Sequence, residues 1–152
     1  DMWITIQQGQ FQSPLYGGEY AATGPAGMFP AWCSEQQQML RFGEVIEYQV
    51  VDGIEAWGAP ISAALDKLMS WTAGAGWPTT LDQNDAIQSD IWAILSGQPG
   101  KIDTTETPIT QHASLLHNEY RQDLLAVIGE PDPAALLVLG LVAIMLAKKA
   151  AR

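Results

Sequence analysis

The chain has 152 residues, with 17 acidic and 7 basic side chains and a formal net charge of −10, a length that fits one domain with a core of its own. Lys148, Lys149 and Arg152 lie at the C-terminal end, which leaves the body only Arg41, Lys67, Lys101 and Arg121. So acidic a body excludes nucleic acid as a partner, because phosphate contacts require clustered Lys and Arg.

The chain opens Asp1-Met2-Trp3-Ile4, with neither a basic n-region nor an apolar h-region, and the expectation is export through a signal peptide already cleaved. Strands are predicted at 3–6, 18–22, 29–33 and 46–50, separated by Gly and Pro punctuation. They read as a β-rich meander. The period then changes: Ile61, Leu65, Leu68 and Trp71 recur at helical spacing, with Pro60 in the first turn and Gly74 past the end. A second helix is predicted over 85–96, with the apolar stripe Ile87, Ile91, Ile94 and Leu95 and a stop at Gly97. A Thr-rich loop at 101–110 follows, then a loop-like stretch carrying His112 and His117, and a last strand at 123–128. The expected fold is α+β, a β-rich meander or sandwich-like body with two helices over 1–129, followed by an apolar helix within 130–152.

That final segment reads Glu130-Pro131-Asp132-Pro133, an uncharged run over 134–147, then Lys148, Lys149 and Arg152. As a helix the run is about 21 Å long at ~1.5 Å per residue, short of the ~30 Å hydrocarbon core of a bilayer. Its apolarity on every face requires burial. Pro133 suits a first helical turn and the basic end suits a helix C-terminus or the cytoplasmic side of a membrane. The order of an acidic Pro-containing signal, an apolar helix and a basic stop resembles the PEP-CTERM tails recognised by exosortases. The resemblance implies an exported protein at the cell surface. A helix running from about Pro133 to Lys149 is expected, joining copies of the chain into a homo-oligomer or contacting a membrane.

Cys33 is the sole cysteine, which rules out an internal disulfide and leaves three readings: an inert buried thiol, an intermolecular disulfide, or a cysteine consumed by other chemistry. The segment Phe29-Pro30-Ala31-Trp32-Cys33-Ser34-Glu35 is similar to the aromatic-Cys-x-acidic signature of bacterial thioester domains. Ile87-Gln88-Ser89-Asp90-Ile91-Trp92 is similar to their Thr-Gln-x-Ala-Ile/Val-Trp motif, with Ile87 in place of Thr and Asp90 in place of Ala. Gly18-Glu19-Tyr20 and Gln122-Asp123-Leu124-Leu125 also look like exported PEP-CTERM proteins that carry this pair. The resemblance implies that Cys33 and Gln88 condense, with loss of ammonia, into an internal thioester that a nucleophile on a target surface opens to form a covalent bond.

Such a bond survives only where water is excluded. Trp32 beside the cysteine and Trp92 one helical turn beyond Gln88 are the expected shields. His112 and His117 carry no pattern that marks a thiol base or a metal site, and the acids Glu44, Glu47, Asp52 and Glu55 read as a solvated face without a calcium loop. No metal or cofactor is expected. Two non-enzymatic surface roles follow: an adhesion or cross-linking domain with a Cys33–Gln88 thioester and a covalent surface target, or a structural subunit of an extracellular filament or envelope layer assembled through the tail.

Overall fold

The computed structural model describes residues 2–11, 20–24, 27–35, 45–78 and 80–128. The expected C-terminal helix and the tail at 130–152 lie outside the described residues.

Six strands, all paired antiparallel, carry the body: β1 (Met2–Phe11), β2 (Tyr20–Gly24), β3 (Gly27–Cys33), β4 (Val45–Asp52), β5 (Ser114–His117) and β6 (Leu124–Ala126). Together with α1 (Gly53–Trp57), α2 (Ala59–Gly74) and α3 (Leu81–Leu95) they make an α+β fold. The expected meander holds locally for β1, β2 and β3. The sheet as a whole departs from a sandwich, because its order β1-β2-β3-β6-β5-β4 closes on itself as β4 pairs with β1, giving a barrel. Closure joins partners far apart in sequence, β1 with β4 and β3 with β6.

Alternation along the strands sorts side chains into two cores. Phe29, Ala31 and Cys33 of β3, Ile46 and Tyr48 of β4, Leu116 of β5, and Leu124 and Ala126 of β6 form one buried cluster. These are alternate positions on each strand, and their common face is the barrel interior. The neighbouring positions Trp32 and Leu125, with Ala113 and Val127, belong to a second cluster completed by Leu65, Leu68 and Met69 of α2 and Ile87, Ile91 and Ile94 of α3. Strand β3 is therefore buried on both faces between Phe29 and Cys33, which explains its unbroken apolar run.

The helices begin where local chemistry starts them. Asp52 caps α1 by accepting the Ile54 N–H at 3.1 Å, and Thr80 caps α3 by accepting the Gln83 N–H at 3.3 Å, satisfying backbone donors that a first turn leaves open. The cap at Thr80 starts α3 four residues before the predicted position. The α2 stripe also differs at its end: Trp71 is exposed, and Met69 and Thr72 take the buried side. Helix α1 is a turn that the hydrophobic period does not announce. It turns tightly at Gly53, where a Cβ would stand 2.6 Å from Ser62 Oγ and 2.8 Å from the Ala113 carbonyl oxygen.

Candidate functional site

Cys33 is the last residue of β3, and its position leaves its main chain in need of partners. The Ser34 N–H donates to the Asp123 carbonyl at 3.1 Å and the Val127 N–H to the Pro30 carbonyl at 3.1 Å. Even-numbered residues of β3 thus turn their polar groups toward β6, and odd-numbered ones turn toward β2. On that side Tyr20 pairs with Ala31, two residues short of Cys33. At Cys33 a side chain takes over the ladder: the Cys33 N–H donates to Gln88 Oε1 at 3.0 Å, and Gln88 Nε2 donates to the Cys33 carbonyl at 2.7 Å. The carboxamide acts as the peptide group of a further strand. Cys33 is 2% exposed and Gln88 2%, so both bonds are made out of water, where leaving either group unpaired costs about 1–3 kcal/mol.

Two residues separated by 55 positions are thus brought together, Gln88 lying against the main chain of the residue that carries the thiol. The Cys33 side chain is buried. The two tryptophans expected to shield the pair are placed differently. Trp92 is half-buried and packs against the interior cluster that contains Cys33. Trp32 is fully buried but belongs to the outer cluster, with its ring 6.1 Å from that of Trp77 at 32°. The reason is the strand period: a residue next to Cys33 faces the other way, so Trp32 closes the neighbouring core and only Trp92 covers the interior side.

The strand exit beyond Cys33 is tied down by polar groups. Gln122 is buried, and its Nε2 donates to the Glu35 carbonyl at 2.6 Å while its own carbonyl accepts from the Tyr48 hydroxyl at 2.9 Å. His117 Nδ1 lies 2.9 Å and 3.0 Å from the two Asp123 carboxylate oxygens. That hydrogen bond holds the His117 imidazole above its ordinary value of 6.5; partial burial opposes the shift, and the charges of Asp123, Glu119 and Glu35 add to it. His117 follows the inward-facing Leu116 on β5 and serves the β5–β6 turn with Asp123. His112 lies by Asp66, whose Oδ2 is 2.9 Å from its Nδ1 and whose Oδ1 accepts the Ala113 N–H at 2.8 Å. Each histidine has a carboxylate partner, and the stretch read as loop contains β5. Among the described residues no group of three or more His, Cys, Asp or Glu side chains is placed to hold a metal ion.

Asp90, which departs from the thioester-domain motif, also has a definite partner. Its Oδ1 accepts the Lys101 N–H at 2.9 Å and its Oδ2 the Ile102 N–H at 2.8 Å. It stitches the loop after α3 back onto the helix. Alanine at this position would leave that loop without its acceptors.

Asn84 did not stand out in the sequence. It lies four residues before Gln88, as Trp92 lies four after, so Asn84, Gln88 and Trp92 form one row along α3. Asn84 is 1% exposed, and among the described residues its Oδ1 is buried without a hydrogen-bond partner, as is Trp92 Nε1. The spacing alone carried this row, but Asn84 lies just outside the helix as predicted from 85.

No family model matches the chain, and neither the curated proteins nor the solved structures include a significant match.

Proposed function

We propose that this chain is a non-enzymatic extracellular surface protein whose body is a thioester-type adhesion or cross-linking domain, with Cys33 and Gln88 as the bond-forming pair. The observation that carries this reading is the buried carboxamide of Gln88 held on both its oxygen and its nitrogen by the main chain of Cys33. The Cys33 N–H at Gln88 Oε1 is also the donor that acyl transfer needs, since it stabilises negative charge developing on the carbonyl oxygen.

In the proposed reaction the Cys33 sulfur attacks the side-chain carbonyl carbon of Gln88. The carbon–nitrogen bond breaks, the thiol proton leaves with the nitrogen as ammonia, and a thioester remains. A primary amine on a target surface then attacks the same carbon, the carbon–sulfur bond breaks, and the products are an amide to the target and the Cys33 thiol. Each molecule is used once, which makes the process attachment and not turnover. The aliphatic and aromatic surroundings of Cys33 protect such an acyl group from water. The acidic-Pro, apolar and basic order of 130–152 supports the localisation part of this reading, with the apolar run serving self-association first and membrane contact second.

Intact-mass measurement tests the reading. The expected mass is one ammonia below that of the unmodified chain; methylamine should add to Gln88 and release a Cys33 thiol that can be alkylated, and Cys33→Ala should abolish both changes. A wild-type chain at full mass that takes up no methylamine would leave Gln88 as a purely structural clasp.

A further inference from the structure

Beyond Cys33 the barrel rim is closed by the turn between β5 and β6. Past the last β3–β6 pair, Cys33 with Leu124, one more rung forms, the Ser34 N–H donating to the Asp123 carbonyl at 3.1 Å. Asp123 is the node of this rim. Its own N–H donates to Glu35 Oε2 at 3.4 Å, and its carboxylate takes the Asn118 N–H at 3.0 Å and faces His117 Nδ1 at 2.9 Å and 3.0 Å. His117 ends β5, where it pairs with the uncharged Gln49 of β4, and Asn118 Nδ2 donates to the Glu47 carbonyl at 2.9 Å. The charges around this imidazole are unbalanced. Asp123 and Glu119 come from the turn, Glu35 from the β3 exit, and Glu47 stands on β4 two residues before Gln49. Arg121, whose Nη1 donates to the Tyr120 carbonyl at 3.1 Å, is the one permanent cation between Asn118 and Asp123.

We propose that His117, Asp123 and Glu35 form a proton-operated latch: charged His117 holds the β5–β6 turn closed on the β3 exit, and loss of its proton loosens the Ser34 and Glu35 contacts and opens this rim to solvent. Neutral His117 still donates its Nδ1–H to Asp123, so part of the contact survives. What goes is the charge assistance, which makes such a bond roughly twice as strong as a neutral one, and with it the positive charge that offsets the mutually repelling carboxylates of Asp123, Glu35 and Glu119. Asp123 holds His117 through its side chain and Ser34 through its carbonyl, so loosening of the first reaches the residue after Cys33. The sign follows from which form binds the proton more tightly. The Asp123 hydrogen bond holds the imidazole of the closed rim above its ordinary value of 6.5, opposed by partial burial and aided by the charges of Asp123, Glu119 and Glu35. Closure is therefore favoured in full below the ordinary value, and the advantage is lost as pH rises through the raised one. The latch requires no bond at Cys33 and stands apart from the thioester reading.

The experiment measures amide hydrogen exchange by NMR in the full chain from about pH 5.5 to 8.5, each rate divided by the intrinsic rate at that pH, beside the titration of the His117 ring. Protection of the Ser34 amide should fall with the same midpoint as the ring. The Val127 amide, which donates to the Pro30 carbonyl at 3.1 Å further along the same strand pair, should keep its protection. His117→Gln, which keeps an N–H donor without the charge, should abolish the step at Ser34. Glu35→Gln, which removes one facing carboxylate, should lower the midpoint of the ring, and His112→Gln, which removes the imidazole held by Asp66 on α2, should leave both the step and the midpoint in place. Constant protection at Ser34 while His117 titrates, or a step that survives in His117→Gln, would overturn the latch. An equal fall at Val127 would overturn it too, because the whole barrel and not its rim would then be responding.

Discussion

Helix α3 carries two buried polar side chains two residues apart, Gln88 and Asp90, and each reaches main chain far away in sequence. On one face the Asp90 carboxylate takes the Lys101 and Ile102 N–H groups, and Asp90 has no orphaned polar atom. On the other face Gln88 takes the Cys33 main chain, and its row retains a donor and an acceptor without a partner among the described residues. The Asp90 side has the economy of a structural tie, in which each polar atom is accounted for by the loop it fixes. A buried polar side chain is thus read not by its own bonds alone but by whether its neighbours are satisfied with it.

The largest expected effect comes from removing the structural side of this contrast. Asp90→Ala leaves the part-buried Lys101 and Ile102 N–H groups without their acceptor and should lower unfolding stability by about 2–4 kcal/mol in denaturant titration, since hydrogen bonds to charged groups contribute ~1.5–3 kcal/mol each. Methylamine incorporation by the folded fraction should be unchanged. A matching loss of incorporation would merge the two faces into one unit.

Gly100→Ala approaches the same tie from its loop side. A Cβ there would stand 2.6 Å from Asp90 Oδ2 and 2.8 Å from its Cγ, and relieving that overlap should cost about 1–3 kcal/mol. Equal midpoints for the variant and wild type would show that the loop moves aside freely.

On the opposite face, Gln88→Glu keeps the shape and replaces the Nε2 donor with an oxygen facing the Cys33 carbonyl. The expected loss is about 1–3 kcal/mol, together with loss of methylamine incorporation, because a carboxylate has no ammonia to lose. Stability lost without an effect on wild-type-like labelling would reverse the assignment of the two faces.

The smallest effect lies off α3, at the turn between β5 and β6. His117 has its value raised by Asp123, so the pair's contribution to stability is fully present below the unfolded imidazole value near pH 6.5 and fades as pH rises through the raised folded value. Its side chain is 43% exposed, which keeps the effect modest. Thermal melts at about pH 5.5 and pH 8.5 should therefore differ more for wild type than for His117→Gln. Identical differences would remove the pair from the pH response of the fold.

Much of this arrangement is readable from residue order, and the parts that are not have identifiable causes. Gly and Pro punctuation around strand-forming runs located β1, β2, β3 and β4, the last predicted strand contains β6, and the apolar stripe located α2 and most of α3. The pairing of Cys33 with Gln88 followed from a motif resemblance, and no local pattern would have joined positions 55 apart. The barrel closure was illegible because pairing of β1 with β4 and of β3 with β6 depends on long-range geometry. Strand β5 has four residues and lies beside polar turn residues, so its period is too short to stand out. Trp32 was assigned by adjacency to Cys33, whereas a strand separates adjacent side chains onto opposite faces. Asn84 was missed through a boundary: the hydroxyl of Thr80 extends α3 backward over residues whose polarity resembles a loop.

Closure of the sheet limits how this body meets other molecules. An open sheet offers rows of unpaired N–H and C=O groups on which a foreign segment can be templated, and a barrel removes them by pairing first strand to last. Along the paired stretches of the described strands, recruitment by strand addition is therefore closed, and so is the route by which exposed edges seed fibrous aggregates. Lasting association at those stretches must be made through side chains, by surface complementarity or by a covalent bond. There the choice of partner rests on side-chain chemistry and not on the main chain.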